Sequence, residues 1–175
     1  PASATGRELL LQLAAGADVL VENYPPSYLP GIGLDYATFQ HLNSRLVMTY
    51  ITPFGQTGSW AHYQTNNLIL SNLSGHSREH PGPVDSLEEQ PPLQLAVHQA
   101  DFVAGLAGAT ATVLALNRRR HHGQGCRVDV SGMEALALLP QTTLAEYTLG
   151  IAPQSRRKGV AQRPSLLALL PCRDG

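Results

Sequence analysis

Asp101 is the residue whose setting invites chemistry. It is a single carboxylate at the head of a long stretch of small and apolar residues, AVHQADFVAGLAGATATVLALNRRR over 96–120, in which no charge follows until Arg118. In the first turn of a helix an acid meets the positive end of the dipole, and Arg118, Arg119 and Arg120 meet the negative end. A carboxylate so placed is ionised at neutral pH. It can compensate the dipole or face a ligand, and residue type alone leaves both open. Two further groups carry polar chemistry. Glu22, Asn23 and Tyr24 follow the apolar run Asp18–Val21, where a strand end would meet a ligand, although a plain polar loop accounts for them as well. Gln64, Thr65, Asn66 and Asn67 bring amides and a hydroxyl that hydrogen-bond a ligand or cap the next helix. His76 and His80 flank Glu79, but Pro81-Gly82-Pro83 opposes a shared helix face and no third ligand is evident, so no metal site is expected.

The elements that would hold these residues alternate between helix and strand. Residues 2–15 form an amphipathic pattern with Leu9, Leu10 and Leu13 on the apolar side, ended by Gly16. Residues 18–21 read as a buried strand, 35–43 as a short helix with Tyr36 and Phe39 at helical spacing, and 46–52 (LVMTYIT) as a second strand. The glycine-punctuated loop 53–58 lacks the Lys-Ser/Thr pair of a phosphate loop. Residues 76–92 are rich in Pro, Gly, Glu and Ser and read as an exposed excursion. In the long helix Gly105, Gly108, Ala109 and Thr112 leave one face smooth, open to close approach of another backbone, and the arginines after it read as a solvated helix end. Cys126–Val130 alternates as a strand, and Ser131 with Glu134 resembles a capping box that opens a helix over 132–149, kinked or split at Pro140. The rhythm is that of an α/β protein with a parallel sheet.

Composition narrows the function classes. A net charge of −1 with 14% charged residues offers no basic surface for nucleic acid, and 43% hydrophobic residues suffice for a packed core. The run from Phe102 to Asn117 reads as too short to cross a bilayer, and the expectation is a cytoplasmic protein. Cys126 and Cys172 show no metal or redox spacing and read as reduced thiols. The first residue is not Met and the last segment, PCRDG, is a turn signal, so a piece of a longer chain is expected.

The segments ADVLVENY (17–24), GLDYATF (33–39), LNSRLV (42–47), FGQTG (54–58), LSG (73–75), QADFVAGLAGA (99–109), GQGCRVDVSGMEALALL (123–139) and the terminal PCRDG, in this order, resemble the family III CoA-transferases. That group includes formyl-CoA transferase, carnitine CoA-transferase and the α-methylacyl-CoA racemases. The resemblance implies an internal fragment, 1–175, of the Rossmann-like large domain, with long helices after the sheet and without the first strands or most of the small domain. It implies interlocked homodimers in the full-length protein and no partner of nucleic acid or membrane type. It further implies transfer of coenzyme A from an acyl-CoA donor to a carboxylic acid through an aspartyl-CoA thioester, with CoA as substrate and no permanently bound cofactor.

By the same resemblance Asp101 takes the catalytic position, and Asn23, Tyr24, Gln64, Thr65 and Asn66 take CoA-contacting positions. The family's oxyanion loop lies beyond residue 175. Racemases carry a His-Asp pair where this chain has Asn66-Asn67, and an amide cannot remove an α-proton, so transferase is favoured over racemase. A degenerate half that supports dimer assembly is the non-enzymatic alternative. Pro25-Pro26-Ser27 and Gly31 stand where many members carry arginines, which would weaken contacts to CoA phosphates, and Asn67 stands in place of the usual acid.

Overall fold

A computed structural model describes residues 1–79 and 92–151. The chain divides into two compact units, one of residues 1–80 and 92–140, the other of 81–91 and 141–175. In the first unit, helix α1 (Ala4–Ala15) starts on Ser3, whose hydroxyl accepts from the Gly6 N–H, and leads into strand β1 (Val19–Glu22). A helical turn, α2 (Tyr28–Gly31), occupies what reads as a turn-rich link, and α3 (Tyr36–Leu42) is capped by Asp35, which takes both the N–H and the hydroxyl of Thr38. Strand β2 (Val47–Thr52) follows, then α4 (Asn67–Leu73) and the short α5 (His76–Glu79). The central helix α6 (Gln99–His122) leads to β3 (Arg127–Ser131) and α7 (Gly132–Ala137). In the second unit the described residues form α8 (Gln141–Thr148). Pro140 falls between α7 and α8, so the expected long helix is split rather than kinked.

The three strands are parallel in the order β1-β2-β3, with Val19 opposite Val47 and Met48 opposite Arg127. Strand alternation separates two layers. Met48 and Tyr50 face a core made with Ala14, Leu29, Leu34, Phe39 and Leu46, into which Leu10 and Leu11 of α1 reach. Thr49 and Ile51 face α6, whose stripe of Ala104, Gly108, Thr112 and Ala115 is buried. Thr49 and Thr112 pair their hydroxyls at 2.7 Å, which satisfies both in a dry interface. A Cβ on Gly108 would run into the end of the Ile51 side chain, so a larger residue there requires Ile51 to move.

Several expectations change in detail. Leu9 and Leu13 lie outside the core, 55% and 73% exposed, because Leu10, Leu11 and Ala14 form the packed side of α1. The smooth face of α6 receives the Ile51 side chain rather than a backbone, and Gly105 and Ala109 point away from it. The excursion expected from residue 76 begins later, since His76 and Ser77 are buried in α5. Residues 80–91, Cys172 and PCRDG lie outside the described residues. An 18-residue window of α6 has a mean hydropathy of 1.3, so by length and composition alone the helix could cross a membrane, although the run 102–117 by itself is shorter than a span. Its buried stripe on β2 and β3 makes it the crossover helix of a βαβ unit.

Candidate functional site

The carboxyl ends of the three strands carry the polar residues of interest, as expected for an open parallel sheet. Because α6 runs back across the sheet between β2 and β3, its N-terminus returns to that same edge and delivers Asp101 there. The helix begins at Gln99 and carries Asp101 in its first turn, as the sequence pattern suggests. Val97 sets the boundary, with φ of +55°, a left-handed conformation that a β-branched residue rarely adopts and that interrupts any helix. His98 follows as the N-cap residue without a side-chain capping bond, which places Asp101 in the first turn.

Asp101 does not cap its own helix. Its side chain is 69% exposed, and both of its polar contacts fall on one oxygen. Oδ2 accepts from Nδ2 of Asn67 at 3.4 Å and lies 3.5 Å from Nδ1 of His98. Asn67 is buried, and its Oδ1 accepts from the Ala100 N–H and the Ser71 hydroxyl, each at 3.5 Å. A small apolar cluster of Leu70, Ala100 and Leu136, flanked by Phe54, Val103 and Met133, ties α4, α6 and α7 together beneath these contacts.

Above the cluster lies a cleft of about 420 Å3. Asp101, Asn67, Asn66 and Thr65 line it, with Gln94 and His98 from the approach to α6. Asn66 caps α4, its Oδ1 accepting from the Ile69 N–H at 3.0 Å, and the Thr65 hydroxyl donates to the Asn66 carbonyl at 3.3 Å. The adjoining loop is anchored by Asp129 of β3, whose carboxylate takes the Gln56 N–H at 3.0 and 3.1 Å, with Gly55 at φ +81° beside it.

Of the residues singled out in the sequence, Asp101, Thr65 and Asn66 share this cleft, and Gln64 is not among its lining residues. Asn23 and Tyr24 follow β1; Tyr24 lines a separate depression of about 390 Å3 with Glu22 and Leu9, Leu13 and Leu20, and Asn23 is not among its lining residues. The Glu22 carboxylate accepts from the Tyr24 N–H at 2.6 Å, and the Tyr24 and Tyr28 rings stack with centroids 4.6 Å apart. Burial of Glu22 raises its pKa from the usual 4.5, opposed by that backbone bond. Sequence reasoning missed Asn67, Gln94 and His98 as neighbours of Asp101. The i,i+3 spacing of His98 and Asp101 was a visible signal, whereas the pairing of Asn67 with Asp101 spans 34 residues and had none.

Comparison with known proteins bears on the family and the fold. Residues 1–175 match the sequence model of CoA-transferase family III. The chain is 34% identical over 170 residues to succinyl-CoA:(R)-benzylsuccinate CoA-transferase subunit BbsE of Thauera aromatica, covering 97% of this chain and 40% of that protein. It is 30% identical to the succinyl-CoA:glutarate CoA-transferase of Mus musculus, over 89% of this chain and 34% of the relative. Among solved structures, a CAIB/BAIF family protein from Brucella suis superimposes with a TM-score of 0.78 at 28% identity, over 87% of this chain and 39% of that one. Rv3272 of Mycobacterium tuberculosis shares the fold, with a TM-score of 0.74 at 22% identity over 84% of this chain and 39% of that one. The chain thus spans about 40% of the length of these relatives. With the family's sequence pattern running the whole length of a parallel α/β unit of the same shape, the chain belongs to CoA-transferase family III.

Proposed function

We propose that the protein containing this chain transfers coenzyme A from an acyl-CoA to a carboxylic acid, with Asp101 as nucleophile. The observation that carries this reading is an exposed carboxylate fixed through one oxygen, in a cleft whose other polar groups are amides, a hydroxyl and an imidazole. A carboxylate oxygen attacks the thioester carbonyl, the C–S bond breaks, and CoA leaves as the thiolate, which yields a mixed anhydride on Asp101. The thiolate then attacks the Asp101 acyl carbon and expels the donor's carboxylate, which leaves an aspartyl-CoA thioester. The acceptor carboxylate attacks that thioester, again releases the thiolate, and the second anhydride returns an acyl-CoA and free Asp101. No net proton is consumed in the exchange.

Relatives named for succinate, glutarate and benzylsuccinate act on organic acids, and this supports a carboxylic acid as the acceptor class here. Asn66, at the position where the racemases of the resemblance carry their base, has its oxygen engaged in capping α4, which further disfavours epimerisation. Asn23, Tyr24, Gln64, Thr65 and Asn66 are the proposed CoA contacts. Residues 1–175 are read as part of one large domain, and the full-length protein as a homodimer, which light scattering checks.

The test uses the full-length protein incubated with a panel of acyl-CoAs, trapped with hydroxylamine or borohydride and mapped by peptide mass spectrometry. Modification at Asp101, absent in Asp101→Asn, is the expected result. An unmodified Asp101 with every donor overturns the reading in favour of a degenerate, structural half.

A further inference from the structure

Asn67 is buried, sits at the start of α4, and touches α6 at two successive residues. Its two amide atoms have different tasks. Oδ1 accepts from the Ala100 N–H, a donor whose direction is fixed by the helix backbone, and from the Ser71 hydroxyl one turn further along α4. That choice orients the amide: with the acceptor occupied on one side, Nδ2 is the atom presented to Asp101. The Ala100 N–H is one of the donors that the first turn of a helix leaves without an intrahelical partner, so the bond also completes the end of α6.

From this juxtaposition we infer that Asn67 is a positioning residue that assigns separate roles to the two oxygens of Asp101. Oδ2, held by the Asn67 amide with His98 beside it, is the anchor; Oδ1, to which no contact is directed among the described residues, is the oxygen that attacks the thioester. The inference rests on Asp101 being the nucleophile. Without the anchor an exposed carboxylate rotates among its rotamers, and the fraction of time an oxygen points into the cleft falls, which slows attack while leaving the remote contacts to CoA in place.

Two substitutions separate positioning from folding. Asn67→Ala removes every contact and can disturb the seam between α4 and α6. Asn67→Asp keeps an oxygen for the Ala100 N–H and the Ser71 hydroxyl and keeps the shape, but it replaces the donor with an acceptor and sets a second carboxylate beside Asp101. In the full-length protein, with its fold checked by circular dichroism, we expect Asn67→Asp to slow single-turnover formation of the Asp101 adduct by about tenfold or more, with KM for the acyl-CoA within about twofold. Ser71→Ala removes one of the two bonds to the acceptor side and leaves the Ala100 N–H to orient the amide, so it should slow the single-turnover rate by clearly less than Asn67→Asp. Adduct formation in Asn67→Asp at the wild-type rate overturns the inference, as does a loss of rate in Ser71→Ala equal to that in Asn67→Asp, since the contacts would then be merely structural. If Asp101→Asn still turns over, it is the nucleophile assignment that falls, and the positioning role falls with it.

Discussion

The two ends of α6 carry charges that complement the same helix dipole, yet the structure uses them differently. At the C-terminal end the Arg119 guanidinium is drawn in, its side chain 12% exposed. Its Nη1 donates to the carbonyls of Arg45 at 2.9 Å and Asp18 at 3.2 Å, and its Nη2 meets the Asp18 carboxylate at 2.7 Å. Arg45 in turn donates to the Gly123 carbonyl just past the helix. These bonds tie the helix end to the entrances of β1 and β2. At the N-terminal end Asp101 has two contacts near 3.5 Å on one oxygen and stays open to a cleft. The arginine serves the fold, with both Nη atoms bonded and only its buried Nε without a partner, whereas the acid is steered by a neighbour and kept accessible. Complementarity to the dipole therefore says little about role; the number, length and burial of a charged group's bonds say more.

The strongest way to break this contrast is at the acid. Asp101→Asn should lower CoA transfer by about a thousandfold or more, as loss of a covalent nucleophile does, while melting shifts little, because an exposed charge in a first helical turn contributes only about 0.3–1 kcal/mol. Activity assays and thermal melts on the full-length variant check both halves, and a large fall in stability would place Asp101 with Arg119 as a structural charge. Midway along the helix the contrast should vanish altogether. Gly108→Leu pushes a branched side chain into Ile51 at the helix–sheet seam, and it should destabilise by about 1–3 kcal/mol, measured by urea denaturation.

How far the sequence disclosed this depended on the range of the interaction. Strand order aside, β1, β2 and β3 were legible because apolar runs bounded by Gly, Pro and polar clusters are local signals, and the caps at Asp35, Asn66 and Ser131 formed as their residue types suggest. Asp101 was legible as a helix-mouth acid, and its chemical role came from resemblance to a family. What stayed hidden was set by tertiary contact. Nothing in residues 118–120 distinguishes Arg119 from its neighbours, but only Arg119 lies on the side of the helix facing Asp18 and Arg45, and it alone of the three is not exposed. Leu9 and Leu13 share the pattern of Leu10, and only the placement of α1 against α3 decides which are covered. Two adjacent asparagines likewise diverge, since Asn66 caps α4 while Asn67, one residue on and turned about 100° around the helix, faces α6.

Arg119 then sharpens the structural half of the comparison. Arg119→Ala removes charge-assisted bonds and the packing of the side-chain stem, and should cost about 2 kcal/mol in chemical denaturation. Asp18→Ala removes only the exposed partner, 80% accessible, and leaves both carbonyl bonds of Arg119 in place. It should cost less than about 1 kcal/mol. Equal losses in the two variants would mean that the ion pair, rather than the carbonyl clamp, holds the helix end.

The smallest expected effect concerns a second acid at the same edge of the sheet. Glu22, at the end of β1, is buried where Asp101 is open, and burial raises its pKa above the usual 4.5 despite the Tyr24 N–H bound to it. The sign follows from proton counting. Between the unfolded value and the raised folded value the native state holds a proton that the unfolded chain has released, so stability falls as pH rises through that window. Below the window both states are protonated and the group has no effect on the slope. Glu22→Gln keeps the shape and an oxygen for the Tyr24 N–H without a charge, and it should flatten the stability profile just above pH 4.5 while leaving lower pH unchanged. If the wild type instead loses stability relative to the variant as pH falls below 4.5, the buried carboxylate is favoured by its backbone bond rather than penalised by burial, and Glu22 joins Arg119 among the charges that hold the fold.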